Sequence, residues 1–482
     1  MPNNFDIIPI PFMTTTLRKT KIICTLGPAS ETPERLREMI LAGTNVFRLN
    51  MSHAQHDWVR KIVPTIRSIA TELDMPVGIL LDTQGPAVRT GDLGTKLDLK
   101  VGDIMEFTVR GTLSEELYSV NVNYDGLIDD INEGDVVLVD NGVIHLKVLS
   151  KENNRIRCEV LTPGLLGSRR HINLPGVKVN LPPLTEKDLA DIAVGTEVGV
   201  DFVALSFCRE PSDVAELRRV LAEHGSDARV IAKIEDQSAV KLIEEIVQAT
   251  DVVMIARGDL GIECPMEELP IIQRHILKTA LRIGKQVIVA THMLESMIEN
   301  PVPTRAEVTD VANAVFEQAD AIMLSGETTV GKYPVECVKV LDRIARRIER
   351  SGSAHYADQT ALINHRQKTA HSGVVLANSF TNAHLAILTR HGIMADYTSH
   401  IRPEHAPIYA ITPSEVTARY LTLNWGVVPI VMPFSDTPEE TIQNAQQLLL
   451  SRNLLKSGDQ LIVMSDIVEG DEKFDFIQLR KI

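Results

Sequence analysis

Eight short apolar runs, rich in β-branched residues, lie between Lys21 and Ser325, and their spacing constrains the fold more than any other feature of the chain. KIICTL (21–26), NVFRLN (45–50) and VGILLDT (77–83) come first. FVALSF (202–207), RVIAKI (229–234), DVVMIA (251–256), QVIVAT (286–291) and AIMLS (321–325) follow. Within each group, amphipathic helical stretches separate neighbouring runs, as at 238–249 between RVIAKI and DVVMIA. Strands alternating with helices pair in parallel, since the return to the same sheet edge needs the length of a helix. Three units and five units together predict an α/β chain built on a (β/α)8 TIM barrel.

Between the third and fourth runs the rhythm breaks. Residues 87–184 alternate short strands with turn signals: EGD (133–135), DNG (140–142), ENN (152–154) and LPG (174–176). That pattern predicts a small antiparallel β domain inserted in the third βα loop. Winding resumes after Pro183, where Thr185 is placed to cap a helix over TEKDLADIAVGTE. Past Arg350, the polar stretch 351–368 reads as a linker with some helix. Beyond it, helices and strands alternate in the manner of an open α/β sheet, a type suited to regulatory or oligomer contacts. The expected division is therefore a loose arm over 1–16, a barrel over 17–86 and 185–350, an inserted β-barrel lid over 87–184, and a C-terminal α/β domain over 351–482.

Composition excludes several classes of function. The net charge of −15, with no Lys/Arg-rich block, argues against a nucleic-acid partner. No apolar stretch approaches about 18 residues and the N-terminus lacks a signal-peptide core, so a soluble, cytoplasmic protein without membrane contact is expected. The five cysteines are scattered with no C-x-x-C pair, which predicts neither zinc nor disulfides.

In a TIM barrel the site lies at the C-terminal ends of the strands. Those ends here carry Arg48, Asn50, Asp82, Lys233, Glu235, Asp259, Thr291 and Glu327. The fifth and sixth units supply the densest group: Lys233 and Glu235 leave one strand, Arg257 and Asp259 the next. Two carboxylates and two cations at one spot could hold a divalent metal and a phosphorylated anion. A salt-bridge cluster capping the sheet is the alternative, weakened by the number of polar groups sharing that end. GETTVGKY (326–333) nearly matches a phosphate-binding P-loop, but Tyr333 stands where a metal-binding hydroxyl is needed and Pro334 follows. It is read as a turn.

RLNMSHA, LLDTQGPAVRTG, AKIE, MIARGDLGIE and the long run LESMIENPVPTRAEVTDVANAVFEQADAIMLSGETTVGKYP together resemble the pyruvate kinase family. The resemblance spans about Thr20 to Arg346, and the C-terminal region shares the family's layout but few of its motifs. It implies transfer of the phosphoryl group of phosphoenolpyruvate to ADP, giving pyruvate and ATP in the last step of glycolysis, by a homotetramer. Mg²⁺ (or Mn²⁺) is expected on Glu235 and Asp259. Lys233 is expected to neutralise the phosphoryl group and the enolate oxygen, and the backbone at a Gly258–Asp259 turn to hold the substrate carboxylate. Thr291 would contact that carboxylate and help deliver the proton, with Ser325 and Glu327 as relay members. Arg48 and Arg89 match the family's phosphoryl-contacting arginines. Asn50, Ser52, Asp82 and Thr83 match its K⁺ ligands, and Asn50, His53, Arg89 and Arg170 would face the nucleotide.

The chain departs from the family's pattern at several points. Gln84 and Ala87 mix the features of K⁺-requiring and K⁺-independent relatives. Arg169-Arg170-His171 replaces a usual Lys-Lys-Gly, and His292 replaces a usual Gln. The loop from Thr389 (TRHGIMADYTSH) keeps Thr389 and Gly392 but loses a Ser/Thr cluster, and the last loop (DIVEGDEKFD) is acidic. Weak or absent activation by fructose 1,6-bisphosphate is therefore expected. The competing reading is a Mg-dependent TIM-barrel lyase or aldolase acting on pyruvate or oxaloacetate, which would not need the lid or Arg48, Arg89 and Arg170. A catalytically silent relative is opposed by intact Lys233, Glu235, Asp259 and Thr291.

Overall fold

The computed structural model describes residues 17–469 and 472–482, and the expected N-terminal arm lies outside them. The eight runs form β1 (Lys21–Thr25), β2 (Val46–Asn50), β3 (Gly78–Asp82), β4 (Phe202–Leu205), β5 (Arg229–Ile234), β6 (Val252–Ala256), β7 (Gln286–Ala290) and β8 (Ala321–Leu324). They close in the order β1-β8-β7-β6-β5-β4-β3-β2, each pair parallel.

Alternation along the strands creates both a core and a site. Ile23, Val46, Leu80 and Ile231 point inward and pack together inside the barrel. Phe47, Leu49, Leu81, Ala232 and Ile234 point outward beneath the helices. One step further along the inward rows stand Thr25, Arg48, Asp82 and Lys233. Polar residues two positions beyond inward-facing apolar ones therefore line the mouth.

The insert has its own core, built on Met105, Phe107, Val137, Leu146, Ile156 and Cys158 among others. Its main sheet has six strands, and one pair departs from the antiparallel expectation: Ile104–Thr108 and Tyr118–Asn121 run in parallel. Thr185 caps the helix Glu186–Val198 in a capping box with Asp188, as predicted.

The C-terminal sheet comprises β9 (Ala383–Leu388), β10 (Ile408–Thr412), β11 (Val427–Val431), β12 (Gln460–Glu469) and β13 (Glu472–Lys481), in the order β11-β10-β9-β12-β13. Only β13 is antiparallel to its neighbour. The acidic segment read as a loop is instead a long hairpin, with Glu469 paired to Glu472. Its tip, Gly470–Asp471, and the side chains of 466–473 lie outside the described residues. The polar linker also orders earlier than expected: Asn364 caps a helix from His365 to Asn378.

This sheet docks at the N-terminal ends of the barrel strands, opposite the mouth. Lys21 Nζ donates to Val427 O at 2.5 Å, and Arg402 pairs with Asp320 at 2.8 Å, both ions buried. No helix among the described residues is long and apolar enough to cross a membrane, and the five cysteines are free and buried.

Candidate active site

Arg48, Asp82, Lys233 and Glu235 form one connected, buried cluster at the mouth. Lys233 Nζ lies 2.8 Å from Glu235 Oε1 and 3.3 Å from Asp82 Oδ1. Arg48 Nε donates to Asp82 Oδ2 at 2.6 Å, and its Nη1 to Thr25 Oγ1 at 3.0 Å. Ser206, just past β4, is the hub that sequence reading missed. Its hydroxyl accepts from Lys233 at 2.8 Å and donates to Thr83 O at 2.7 Å. A serine at a barrel strand's C-terminal end was the available signal.

The electrostatics of the cluster are uneven. Burial alone would raise Asp82, but Lys233 and Arg48 hold its carboxyl below the usual range. Burial disfavours the charge on Lys233, yet Asp82 and Glu235 raise its pKa, so it stays firmly cationic. Glu235 shifts the other way, up to about 7, through burial and then the nearby Asp259, despite Lys233 and the Phe207 N–H. That N–H donates to Glu235 Oε2 at 2.5 Å. Glu235 is thus short of positive charge, and with Asp259 it forms a hard-oxygen pair suited to a divalent cation. Among the described residues no three His, Cys, Asp or Glu side chains could hold a metal alone, so further ligands would come from substrate or water.

Asp259 lies on a helix, Arg257–Glu263, that starts directly from β6. The expected turn at Gly258 is absent, and the Gly258 N–H already donates to Thr291 Oγ1 at 2.7 Å. Thr291 and His292 both sit in the left-handed region, at φ 69° and 56°. For non-glycine residues, two such positions in succession store strain. Arg257 supports them from behind: its guanidinium donates to Ala290 O at 3.2 Å and Thr291 O at 2.6 Å, and pairs with Asp310 at 2.6 Å. The expectation that Arg257 joins Lys233 in the site is therefore corrected, because an immediate helical start turns its side chain toward β7. Glu327 likewise braces loops, accepting from the backbone N–H of Leu294 at 2.9 Å and of Ser325 at 2.7 Å.

Asn50 and Asp82 are register neighbours on β2 and β3. Asn50 Oδ1 accepts the Ser52 N–H at 3.2 Å, and Ser52 and His53 are exposed. The Thr83 hydroxyl is turned to β4, donating to Ala204 O at 3.0 Å and accepting the Ser206 N–H at 3.2 Å. Asp188 accepts the N–H groups of Gln84 and Gly85, fixing the way into the insert. Gly85, at φ 72°, has no room for a side chain, since a Cβ would stand 2.8 Å from Phe207.

The insert touches the rim of the mouth. Arg89 pairs across a β-bridge with His171, whose ring packs on Phe207 with centroids 5.8 Å apart. Burial and then Arg89 lower the His171 pKa, against the pull of Asp259. Arg170 is engaged within the insert, 3.2 Å from Asp140, and Arg169 pairs with Asp92. The structure thus brings Arg48, Asp82, Thr83, Lys233 and Glu235 together, with Gly258, Asp259 and Thr291 on the adjoining rim. Arg89, whose guanidinium donates to Arg169 O at 3.3 Å, adjoins them only through its bridge partner His171, while Ser52, His53 and Arg170 stand apart.

Residues 17–338 match the family model "Pyruvate kinase, barrel domain", and residues 367–479 match "Pyruvate kinase, alpha/beta domain". The chain is 42% identical over 471 residues to a pyruvate kinase of Sporosarcina psychrophila, covering 94% of this chain and 79% of that one. It is 41% identical over 476 residues to plastidial pyruvate kinase 2 of Arabidopsis thaliana, covering 97% and 82%. A solved pyruvate kinase from Cryptosporidium parvum superposes with a TM-score of 0.91 at 34% identity, covering 96% of each chain.

Proposed function

The chain belongs to the pyruvate kinase family, and on that premise we propose how its residues carry out the family's reaction. The reaction moves the phosphoryl group of phosphoenolpyruvate to ADP, giving ATP and an enolate that takes up a proton to become pyruvate. The competing lyase or aldolase reading is not favoured by these relatives. Phosphoryl transfer is chiefly positioning and charge neutralisation, so the residue roles follow from where charge is held.

The observation that carries the assignment is Lys233 Nζ, buried and cationic between Asp82 and Glu235. A fixed cation there stabilises the transferring phosphoryl group and then the enolate oxygen without reorganisation. Glu235 and Asp259 would hold Mg²⁺ (or Mn²⁺), which supplies Lewis-acid neutralisation of phosphate and enolate oxygens when bound. Arg48, locked by Asp82 and Thr25, and Arg89, at the insert's edge, orient the phosphoryl oxygens. A substrate carboxylate arriving at Gly258 competes with Thr291 Oγ1 for its N–H, freeing the hydroxyl to take part in delivering the proton.

Asn50, Ser52, Asp82 and Thr83 are read as the K⁺ ligands, the first and third being neighbours in register. His53, Asn50, Arg89 and Arg170 are read as facing ADP, with Arg170 leaving Asp140 when the nucleotide binds. The protein is read as a cytoplasmic homotetramer, with no nucleic-acid or membrane partner. The test is pyruvate formation from phosphoenolpyruvate and ADP in a coupled assay, with and without Mg²⁺ and K⁺. Divalent-dependent turnover, stimulated by K⁺, is expected. No pyruvate with both cations present would refute the reading, and a rate unchanged when a bulky organic cation replaces K⁺ would refute the K⁺ ligands alone.

A further inference from the structure

We infer that Asn173 of the insert and Glu263 of the barrel form a positioning pair for phosphoryl transfer, whose hydrogen bond seats the insert on the helix that carries Asp259, beside the Phe207 amide that holds Glu235. The inference rests on the reading of Glu235 and Asp259 given above.

The pairing begins with strand alternation. In the short strand Ile172–Asn173, Ile172 is buried in the insert's own core. His171 and Asn173, on either side of it, both face the barrel, as a period of two requires. His171 packs on Phe207, whose backbone N–H holds Glu235. Asn173 Nδ2 donates to Glu263 Oε1 at 3.0 Å, and Glu263 ends the helix that carries Asp259. Residues 171–173 therefore touch both the residue that hydrogen-bonds Glu235 and the helix that carries Asp259.

The contact is buried but not fully satisfied. Asn173 and Glu263 are 5% and 9% exposed, and Asn173 Oδ1 has no hydrogen-bond partner among the described residues. Burial also pushes the Glu263 carboxyl up to about 7, only partly offset by the Asn173 bond. A seam selected for stability alone would leave neither a bare acceptor nor a desolvated carboxylate. An insert that must leave and return with each turnover is served by such a balance, because opening rehydrates both groups.

The experiment exchanges the partners in the full-length protein. Asn173→Asp sets two carboxylates face to face, and should raise KM for ADP and lower kcat/KM roughly tenfold or more. Glu263→Gln keeps an amide–amide bond and should stay within about threefold of wild type. The double variant N173D/E263Q restores an amide–carboxylate bond in reverse, and should recover most of the loss. The insert's resistance to limited proteolysis, which needs no activity, should follow the same order. Asn173→Ala removes the bond without adding charge and carries the test if N173D does not fold. A folded N173A with unchanged KM for ADP and unchanged protection overturns the inference, as does a double variant no better than N173D. Failure of the functional reading is separate, since the wild type would then make no pyruvate while the protease pattern could still be read.

Discussion

At the level of single residues, the site depends on how many partners each buried charge has. Asp82 has Arg48 and Lys233, whereas Glu235 has Lys233 and one backbone N–H. Lys233→Met therefore leaves Glu235 as the exposed weakness: turnover should fall by roughly 10²-fold or more, since a preorganised cation is lost. The variant should also melt at a lower temperature, because breaking a buried ion pair leaves an uncompensated charge. A coupled assay and a thermal melt check both, and near-normal turnover in a folded variant would refute the role of Lys233. Arg257 makes a different prediction. Its guanidinium ties Ala290 O and Thr291 O beneath two left-handed residues, so Arg257→Met should release Thr291 and lower kcat about 10-fold or more without touching substrate. Unchanged kcat would show that the turn holds itself. Arg48, Asp82, Lys233 and Glu235 were legible because inward rows of a barrel strand end at the mouth. Arg257 was misplaced and Ser206 missed because the exit direction past a strand depends on the next element's first dihedral angles, which composition does not encode.

At the scale of elements, the β character of the insert was legible and the pairing of its sheet was not. Turn signals marked residues 87–184 as β, but the parallel pairing of 104–108 with 118–121 depends on how the intervening 109–117 crosses over. Because the insert has its own core, replacing residues 87–184 by a short Gly linker should leave a folded barrel. Such a barrel should bind metal but make no ATP, having lost Arg89, Arg170 and the packing of His171 on Phe207. Circular dichroism with a coupled assay decides, and ATP at a normal rate would give the insert another task. The C-terminal hairpin was missed although Phe474 and Phe476 alternate with polar residues, because its acidic composition resembles a loop. The expected insensitivity to fructose 1,6-bisphosphate is argued further from two cations of the C-terminal region that already have partners. Arg402 is buried against Asp320, and Arg390 lies over the Phe434 ring at 5.0 Å. A substrate saturation curve with and without the sugar phosphate should be nearly unchanged, and a large leftward shift would sink that expectation.

Across the whole molecule, the junction between barrel and C-terminal sheet joins residues about four hundred positions apart, such as Lys21 and Val427. The α/β fold class was legible from rhythm, but this junction was not, since it depends on which polar strand ends meet. Lys21 is its most costly member. Burial, then the neighbouring Arg18, lower its pKa from the model-compound 10.5 to about 7, against the pull of Glu349 and Asp320. A folded pKa below the unfolded one means that the unfolded chain binds more protons between about 7 and 10.5, so stability rises with pH across that window. Below about 7 both states are charged, and the fold bears the full cost of the buried ammonium. Of the other charges here, Arg18 pairs with Asp342, Arg402 pairs with Asp320, burial pushes His400 down to about 4, and Lys19, whose pKa burial also lowers, is common to the two proteins compared below. Lys21→Met removes the buried charge at the cost of one hydrogen bond to Val427 O. The variant should melt about 2–4 °C higher than wild type at pH 6, with the gain shrinking from pH 7 upward and gone near pH 10. Melts of both proteins between pH 6 and 10 measure this directly. A variant that melts lower at every pH by the same amount would show that the Lys21–Val427 bond outweighs desolvation, and that the junction is held by that bond.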